Sequence, residues 1–454
     1  MAKAKRSLFG TDGIRGLANE HPMTPEMGVQ LGRAVAHVFR GNHARPRIVI
    51  GKDTRLSNYM FETALQAGIC SMGVDAVQLG VLPTPGIAFM TTGMRADAGV
   101  VISASHNSFE DNGIKFFAAD GFKLPDEVEL KIERLIEAGD LATHRAMGTD
   151  IGRAYRIEDA VGRYVVYLKS TFPRHLDLSG MRIVVDCAHG AAYRVAPEVL
   201  YELGAEVIQM GTSPDGTNIN DGVGALHPQK LAKKVLELRA DIGIALDGDA
   251  DRCILCDEHG KIIDGDKMLL ILARAMKASG DLAHNTVVAT VMSNLGLERA
   301  LGAEGIKMER AQVGDRYVVD RMRQGGFTLG GEQSGHLIQL QHSTTGDGLL
   351  AALQVLAIMV EGKKALSTLG GRLRRVPQTL KGIRVREKPP LESIPAVVTA
   401  IEAASKQLGE NGRVVVRYSG TEKKCRVMVE GDDAETITAQ ANAIADAVRR
   451  EIGG

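Results

Sequence analysis

Three parts of this chain repeat one order of elements: a short apolar strand, a polar turn, a helical pattern and a second strand. The first strands begin at Arg47, Arg182 and Thr286. The helical patterns end near Gly73, Gly204 and Gly305. A strand, a helix and a second strand form a βαβ unit, whose crossover is right-handed and whose strands pair in parallel. The repeat therefore predicts three homologous α/β domains with largely parallel pairing.

The residues after Gly371 follow a different pattern and predict a smaller α+β domain. Its expected elements are a strand at 382–386, a helix at 394–408, strands at 413–418 and 425–430, and a helix from Ala434. A chain of 454 residues also exceeds what one hydrophobic core usually supports. We predict three mixed α/β domains and the smaller C-terminal domain, with limits at residues 1–155, 156–256, 257–371 and 372–454.

Residues 99–107, Gly-Val-Val-Ile-Ser-Ala-Ser-His-Asn, are typical of a buried strand that stops abruptly in a small polar loop. This pattern places Ser105 at the end of a rigid element beside the imidazole of His106, which suits covalent phosphoryl chemistry. Residues 111–115, Asp-Asn-Gly-Ile-Lys, predict a tight turn that brings Lys115 back to the same place. Since most Ser-His pairs in loops are surface turn residues, this interpretation needs a second signal.

The second signal is the motif at residues 246–252, Leu-Asp-Gly-Asp-Ala-Asp-Arg. The carboxylates of Asp247, Asp249 and Asp251 repel one another unless a cation neutralises them, and oxygen ligands favour Mg²⁺. A calcium EF-hand loop would need glycine where Arg252 stands, and it would lie between helices rather than strands. A solvated acidic turn rarely lies between two apolar strands. The motif therefore predicts one Mg²⁺ site with positions left for a phosphoryl oxygen.

Two glycine-containing loops add groups that suit a phosphorylated sugar. Residues 330–336, Gly-Gly-Glu-Gln-Ser-Gly-His, place hydrogen-bonding side chains where a polyhydroxylated ligand can approach closely. Residues 414–422 leave a strand and enter a turn, where Arg417, two hydroxyls and free backbone N–H groups predict a phosphate cradle. With one loop in each domain, the four sites would meet in a central cleft.

These loops occur in the order of the four signature loops of the α-D-phosphohexomutases, which the chain resembles from Phe9 to about Glu430. Residues 9–16, Phe-Gly-Thr-Asp-Gly-Ile-Arg-Gly, also match the N-terminal motif of that family. Gln333 in the sugar loop, with residues 344–348 and 115–117, most resembles the bacterial phosphoglucosamine mutases. The chain departs from the family at Tyr418, where proline is usual, and at residues 423–425, Lys-Lys-Cys, where Pro-Leu-Ile is usual.

The resemblance implies an isomerase that interconverts glucosamine 6-phosphate and glucosamine 1-phosphate, for UDP-N-acetylglucosamine and cell-wall precursor synthesis. The reaction would use phosphorylated Ser105 and a hexose 1,6-bisphosphate as intermediate or activator. The implied metal ligands are Ser105, Asp247, Asp249 and Asp251. The implied substrate contacts are Arg252, Glu332 and Ser334 and, for the distal phosphate, Arg417, Ser419, Gly420 and Thr421. The choice of general acid and base stays open among Lys115, His106 and His336, with Arg15 in support.

Composition limits the compartment and the partners. Lys plus Arg and Asp plus Glu both number 55, so no net field favours nucleic acid or an anionic membrane. Residues 1–6 are basic but no apolar segment follows, and no run approaches the ~18 apolar residues of a membrane span. Five cysteines in such a chain suggest a reducing cytoplasm, and we expect Cys253 and Cys256 to be core residues. The oligomeric state stays open, a homodimer being one option.

Two other functions compete with the phosphoglucosamine mutase interpretation. A phosphomannomutase or phosphoglucomutase of the same family would differ only in its sugar contacts. A metal-dependent phosphohydrolase also pairs a serine nucleophile with a metal. It would usually bring several histidine ligands, however, and it would not need a second phosphate cradle.

Overall fold

The computed structural model describes residues 7–10, 12–40, 45–419 and 423–454. Within these ranges the strands form four sheets, of which three are mixed and flanked by helices and the fourth is small and antiparallel. The expected α/β class, with a smaller C-terminal α+β domain, is confirmed. No helix in the described ranges is both long and apolar enough to cross a membrane.

The first sheet has the strand order β1-β5-β4-β2-β3-β6. Its elements are β1 (Ile14–Leu17), α1 (Pro25–Phe39), β2 (Arg47–Lys52), α2 (Asn58–Ser71), β3 (Asp75–Val81), α3 (Thr84–Gly93), β4 (Ala98–Ile102), β5 (Asp111–Ala118), α4 (Asp126–Ala138) and β6 (Ala154–Arg156). Strand β2 pairs in parallel with β3 and β4, as the βαβ repeat predicts. Strand β5 runs antiparallel to β4 and β1, so the sheet is mixed rather than wholly parallel.

The tight turn expected at residues 111–115 is wrong. These residues open β5, and the chain reverses between residues 104 and 110 instead. Asp-Asn-Gly has the composition of a turn, but Asn112 is buried and donates to Asn58, and Gly113 lies where a Cβ would approach the carbonyl oxygen of Ser103 to 2.6 Å. Tertiary contacts therefore override the local turn preference, although Lys115 does return to Ser105.

The second sheet has the order β11-β10-β9-β7-β8. Its elements are α5 (Ala160–Ser170), β7 (Arg182–Asp186), α6 (Val195–Glu202), β8 (Glu206–Met210), α7 (Gln229–Leu238), β9 (Ile242–Leu246), β10 (Cys253–Asp257) and β11 (Ile262–Ile263). Strands β9 and β10 are antiparallel, and Leu246 pairs with Cys253. The motif of three aspartates is therefore the loop between two buried strands, and the two cysteines are core residues.

The third sheet has the order β13-β12-β14-β15. Its elements are α8 (Gly265–Ser279), β12 (Thr286–Thr290), α9 (Leu295–Ala303), β13 (Lys307–Ala311), α10 (Asp315–Gly325), β14 (Leu329–Gly331), β15 (Leu337–Gln339), α11 (Gly348–Gly362) and α12 (Leu366–Gly370). Strand β12 pairs in parallel with β13 and β14, and β14 pairs antiparallel with β15. Residues 332–336 form the loop between β14 and β15.

The fourth sheet has the order β16-β18-β17, with all neighbours antiparallel. Its elements are β16 (Gln378–Arg384), α13 (Pro395–Leu408), β17 (Gly412–Tyr418), β18 (Lys424–Gly431) and α14 (Ala434–Ile452). The expected strand at 382–386 is misplaced, because β16 begins at Gln378, where it pairs with Glu430 of the long strand β18. Pairing with a distant strand, rather than local pattern, sets these limits.

Buried apolar side chains form five clusters among the described residues, and two of these clusters show how the domains are joined. One continuous cluster joins the first three sheets, and it includes Val49, Leu200 and Leu353. The C-terminal sheet and its two helices have their own cluster, which includes Val427 and Ile444. The four domain limits proposed from the sequence stay a prediction, and the second sheet extends through β11, beyond residue 256.

Candidate active site

Ser105 follows β4 and points its hydroxyl at the loop of three aspartates. The residue has a φ of 52°, which is uncommon for a residue with a side chain, and it is buried. Its Oγ donates to Asp247 Oδ2 over 2.7 Å and lies 3.3 Å from Nδ1 of His106. The candidate nucleophile therefore contacts both a carboxylate of the second domain and an imidazole of its own loop.

Asp247, Asp249 and Asp251 are buried, and they offer ligand atoms within 4.8 Å of one another. Burial, together with repulsion from Asp251 and Asp249, raises the pKa of Asp247 well above its usual range. Oδ1 of Asp249 and Oδ1 of Asp251 are buried and have no hydrogen-bond partner among the described residues. A hard divalent cation would neutralise the repulsion and take up the unpartnered oxygens, so the residues fit Mg²⁺.

Lys115 extends from β5 into the same cluster of carboxylates. Its Nζ lies 2.9 Å from Asp249, 3.2 Å from Asp12 and 4.0 Å from Asp251. Although burial disfavours the charged amine, the three carboxylates outweigh it and raise the pKa of Lys115. Lys115 is therefore a permanent cation at the site, able to stabilise negative charge.

Thr84, at the start of α3, is a site residue that sequence reasoning missed. Its Oγ1 donates to Asp249 Oδ2 over 2.7 Å, and its backbone N–H donates to the carbonyl oxygen of Asp249 over 3.0 Å. A threonine between two prolines, Pro83-Thr84-Pro85, carries no signal that sets it apart from an ordinary helix start. Thr84 orients one metal-loop carboxylate from the first domain.

Arg15, on β1, belongs to a chain of ion pairs that crosses from the first domain to the third. Arg15 pairs with Asp12, and Lys123 bridges Asp12 and Asp315 of α10. Burial opposes ionisation of Asp12, but Lys115 and Lys123 outweigh it and hold the pKa of Asp12 well below its usual range. Asp12 lies in the N-terminal motif, which could have identified it, whereas Lys123 and Asp315 carry no motif.

The two candidate histidines have opposite protonation states. Burial, aided by the charges of Arg252 and Arg15, lowers the pKa of His106 to about 4, so its imidazole is neutral at pH 7. His336 lies 3.5 Å from Asp251 and 3.7 Å from Asp315. Burial opposes its charge, but these carboxylates outweigh it and raise the pKa of His336 to about 9. His106 can therefore accept a proton, and His336 can donate one.

The loop between β14 and β15 presents Glu332 and Ser334 beside the metal loop. Glu332 accepts from Gly314 N over 3.1 Å and from Ser334 Oγ over 3.3 Å, and Ser334 is exposed. Glu332 lies close enough to Arg252 and Arg417 for its negative charge to favour both guanidinium charges. The sugar loop of the third domain thus faces cations of the second and fourth domains.

Five arginines keep a buried Nε–H group with no hydrogen-bond partner among the residues that the structure describes, and three of them lie in the candidate site: Arg15, Arg252 and Arg417. Arg252 is tied to the metal loop, since its backbone N–H donates to Asp247 Oδ1 over 3.1 Å. Burial, and then repulsion from Arg426, lowers the pKa of Arg417. A buried N–H group without an acceptor is costly, and the oxygens of a bound phosphate would be suitable acceptors for these three.

The candidate phosphate loop is described only in part. Ser419 is buried and its backbone N–H donates to Lys424 O over 2.8 Å, while Gly420 and Thr421 lie outside the described residues. The unusual Tyr418 donates through its hydroxyl to Pro389 O over 2.7 Å, and Lys388 Nζ donates to Ser419 O over 2.7 Å. These two contacts tie the loop to residues 388–390. The proline that is usual in the family at position 418 would instead restrict the backbone of the loop itself.

Sequence profiles of one family match the four parts of the chain in order. The profiles of phosphoglucomutase/phosphomannomutase alpha/beta/alpha domains I, II and III match residues 6–143, 162–260 and 264–375. The profile of the C-terminal domain matches residues 380–447.

Curated relatives match over nearly the full length. The phosphoglucosamine mutase of Geobacter metallireducens is 59% identical over 449 residues, which cover 99% of this chain and 100% of that protein. The phosphoglucosamine mutase of Anaeromyxobacter sp. is 59% identical over 456 residues, covering 100% of this chain and 97% of that protein.

Solved structures share the fold at low sequence identity. A phosphoglucomutase/phosphomannomutase family protein of Burkholderia thailandensis is 22% identical with a TM-score of 0.81, covering 98% of this chain and 99% of that one. The N-acetylphosphoglucosamine mutase of Aspergillus fumigatus, in complex with GlcNAc-6P and magnesium, is 17% identical with a TM-score of 0.67, covering 98% and 96%. The resemblance to the α-D-phosphohexomutases is thereby confirmed, and the chain belongs to the phosphoglucomutase/phosphomannomutase family.

Proposed function

We propose that this protein is a phosphoglucosamine mutase, an isomerase that interconverts glucosamine 6-phosphate and glucosamine 1-phosphate. The observation that carries the proposal is the 2.7 Å hydrogen bond from the hydroxyl of Ser105 to Asp247 of the metal loop. It joins a nucleophile to a hard-cation site, within a chain that is 59% identical over its length to phosphoglucosamine mutases. The amino-sugar preference rests on these relatives.

The metal site and its surroundings support phosphoryl transfer at Ser105. Asp247, Asp249, Asp251 and the Ser105 oxygen would hold one Mg²⁺, which when bound neutralises charge on the transferring phosphoryl group. Lys115 and Arg252 add fixed positive charge at the same place. Since these cations are already oriented by the fold, they stabilise the transition state without reorganising.

The reaction requires two transfers that are the reverse of each other. In the first, the bond between phosphorus and Ser105 Oγ breaks as a bond forms to a sugar hydroxyl oxygen, giving a hexose 1,6-bisphosphate. We assign acceptance of the hydroxyl proton to neutral His106 and donation of a proton to the Ser105 oxygen to His336, while Lys115 stays charged. In the second, the other phosphate returns to Ser105 after the sugar has turned.

The other groups around the cleft bind the parts of the substrate that do not react. We assign the distal phosphate to Arg417 and Ser419, and the sugar hydroxyls that both orientations share to Glu332 and Ser334. The assignment of Gly420 and Thr421 to the same phosphate comes from the family resemblance alone. A metal-dependent phosphohydrolase fits less well, because the metal cluster found within the described residues consists of three aspartates and contains no histidine.

We expect the reaction to take place in the cytoplasm and its partners to be small phosphosugars. All five cysteines are free in the described structure, which supports a reducing compartment. The product would then feed UDP-N-acetylglucosamine and cell-wall precursor synthesis.

The test is a comparison of kcat/KM for the 1-phosphates of glucosamine, glucose and mannose, using enzyme whose Ser105 phosphate occupancy is known from intact mass. We expect glucosamine phosphate to be preferred by at least tenfold, and activity to require Mg²⁺. A preference for mannose or glucose phosphate would reassign the enzyme to phosphomannomutase or phosphoglucomutase activity. Release of inorganic phosphate without mutase product would instead favour the phosphohydrolase.

A further inference from the structure

The direction of the Ser105 hydroxyl depends on how its backbone is held. A serine has one side-chain torsion before its hydroxyl, so its aim at Asp247 follows from the backbone of the loop. That backbone has a φ of 52°, a conformation that persists in a residue with a side chain only when surrounding contacts hold it. The relevant contacts converge on two carbonyl oxygens, those of Ser105 and Asn107.

The first set of contacts comes from Arg55, whose side chain is buried within the first domain. All five of its N–H donors are used. The acceptors are the carbonyl oxygens of Ser105 (3.0 Å), Asn107 (2.8 Å), Ser108 and Asp111 (3.0 Å), and Oδ2 of Asp53 (2.9 Å). Because the Asp53 carboxylate neutralises the guanidinium, Arg55 holds the loop without adding net charge beside the nucleophile.

The second contact comes from Asn220 in the second domain, on the loop between β8 and α7. Its Nδ2 donates to Ser105 O over 2.9 Å and to Asn107 O over 3.0 Å. Each of the two carbonyl oxygens therefore accepts one hydrogen bond from each domain. Asn220 is itself buried, and its backbone has a left-handed conformation with a φ of 60°. Its backbone N–H donates to Ala188 O over 2.9 Å.

The metal loop packs against the same point. A Cβ at Gly248 would lie 2.5 Å from the carbonyl oxygen of Ser105 and 2.7 Å from Nδ2 of Asn220. The backbone of Gly248 thus approaches the nucleophile loop as closely as a residue without a side chain can. Asn220 lies between the loop that carries the nucleophile and the loop that carries the metal ligands.

We propose that Asn220 is a positioning residue for phosphoryl transfer: it fixes the Ser105 loop against the metal loop across the domain boundary. This role rests on the proposed function, since it presumes transfer at Ser105. Asn220 is not among the residues that we assign to the substrate or the metal. Arg55 orders the loop within its own domain, and Asn220 sets the distance between the two domains' loops.

Two variants distinguish the effect of the side-chain amide donors from the effect of the backbone conformation at residue 220. Asn220→Gly removes the donors and keeps a residue that adopts a positive φ freely. Asn220→Asp keeps the shape and replaces the donor nitrogen with an oxygen that repels both carbonyl oxygens. Asn218→Ala is the matched control, because Asn218 lies on the same loop and the side-chain hydrogen bonds found for it in the described structure join only Ser213 and Asp215 of that loop.

The experiment loads Ser105 with phosphate from glucose 1,6-bisphosphate, mixes the enzyme rapidly with glucosamine 6-phosphate, and follows Ser105 occupancy by mass spectrometry. We expect N220G to slow single-turnover transfer by about 10–100-fold, since a misplacement of about 1 Å costs on that order. We expect N220D to slow it further. The Mg²⁺ affinity and the substrate KM should change less than threefold, and N218A should match the wild type.

An N220G transfer rate within threefold of N218A would overturn the proposal. So would an equal loss of Mg²⁺ affinity, because the residue would then act on the metal site itself. Should N220D fail to fold, the N220G rate, with its thermal midpoint measured in parallel, still decides the question. If the wild-type enzyme transferred phosphate to glucose 6-phosphate but not to glucosamine 6-phosphate, only the proposed substrate would be refuted. The same variants would then be compared with glucose 6-phosphate as the acceptor.

Discussion

The part of the site to which we assign phosphoryl transfer and the part to which we assign the distal phosphate are built differently. Ser105, Asp247 and Lys115 lie buried where the first two domains meet, and one apolar core runs through the first three domains. Arg417 and Ser419 belong to a fourth domain with a separate core. The difference suits the two tasks, since transfer needs fixed distances, whereas a bisphosphate must turn before the second transfer.

The junction of the third and fourth domains is largely polar. Asn294 Nδ2 donates to Val376 O over 3.0 Å and to Glu430 over 2.9 Å, and Arg413 donates to Val291 O over 2.9 Å and to Ser293 O. Hydrogen bonds of this kind can be exchanged for bonds to water when a domain moves, whereas an apolar core resists opening. We expect the fourth domain to move while the first three stay together.

The largest effect should come from Ser105→Ala, which removes the nucleophile from the rigid part. We expect a loss of mutase activity of about 10⁴-fold or more, because no other described hydroxyl lies beside Asp247 in the way that Ser105 does. Intact-mass analysis should also find no covalent phosphate after incubation with bisphosphate. Ser108→Ala, an exposed serine of the same loop, is the control and should keep both properties. Normal turnover by Ser105→Ala would refute the assignment.

The next largest effect should come from Asp249→Asn. This change removes one carboxylate of the cluster and weakens the hydrogen bonds that Asp249 accepts from Lys115 and Thr84. We therefore expect kcat to fall by about 10²–10³-fold. Calorimetric titration with Mg²⁺ should show a matching loss of affinity. Unchanged Mg²⁺ affinity would show that the cluster is not the metal site, however large the loss of activity.

Arg417→Ala tests the fourth domain, which we expect to move. Losing a charged contact to the distal phosphate in both orientations should raise KM by about 10–100-fold and increase the escape of free bisphosphate. The single-turnover rate of transfer from Ser105 should change much less. Arg384→Ala removes an exposed arginine of the same sheet and serves as the control. A normal KM without extra bisphosphate release would redirect attention to Tyr418 or Lys423.

The smallest effect concerns Asp266, a buried residue of α8 that accepts from Asn294 N beneath the junction. Burial raises its pKa to about 6, above the unfolded value near 4, so the folded state binds the proton more tightly. Its contribution to stability is therefore present below pH 4 and is lost as the pH rises through 6. Asp266→Asn should raise the thermal midpoint by a few degrees at pH 8 and not at pH 4. An identical shift at both pH values would exclude ionisation of Asp266 as the cause.

Local composition was enough to predict the reactive loops. Ser105, the three aspartates and residues 332–336 stand in short segments whose residue types, taken together, favour strand ends around a ligand. The βαβ units were predicted for the same reason, since apolar strands and helical periodicity are properties of neighbouring residues. All of these features depend on interactions within a few positions along the chain.

The residues that complete the site depend on packing between distant segments. Thr84, Lys123, Asp315 and Asn220 stand in ordinary sequence, and they acquire a role only because sheets from different domains bring them to the cleft. The same contacts turn residues 111–115 into a strand and give His106 and His336 opposite protonation states. Sequence alone thus determined which reactive groups each loop carries, and from them it predicted the chemistry. Tertiary structure decided how those loops are held, because burial and charge at a point sum over neighbours from the whole chain.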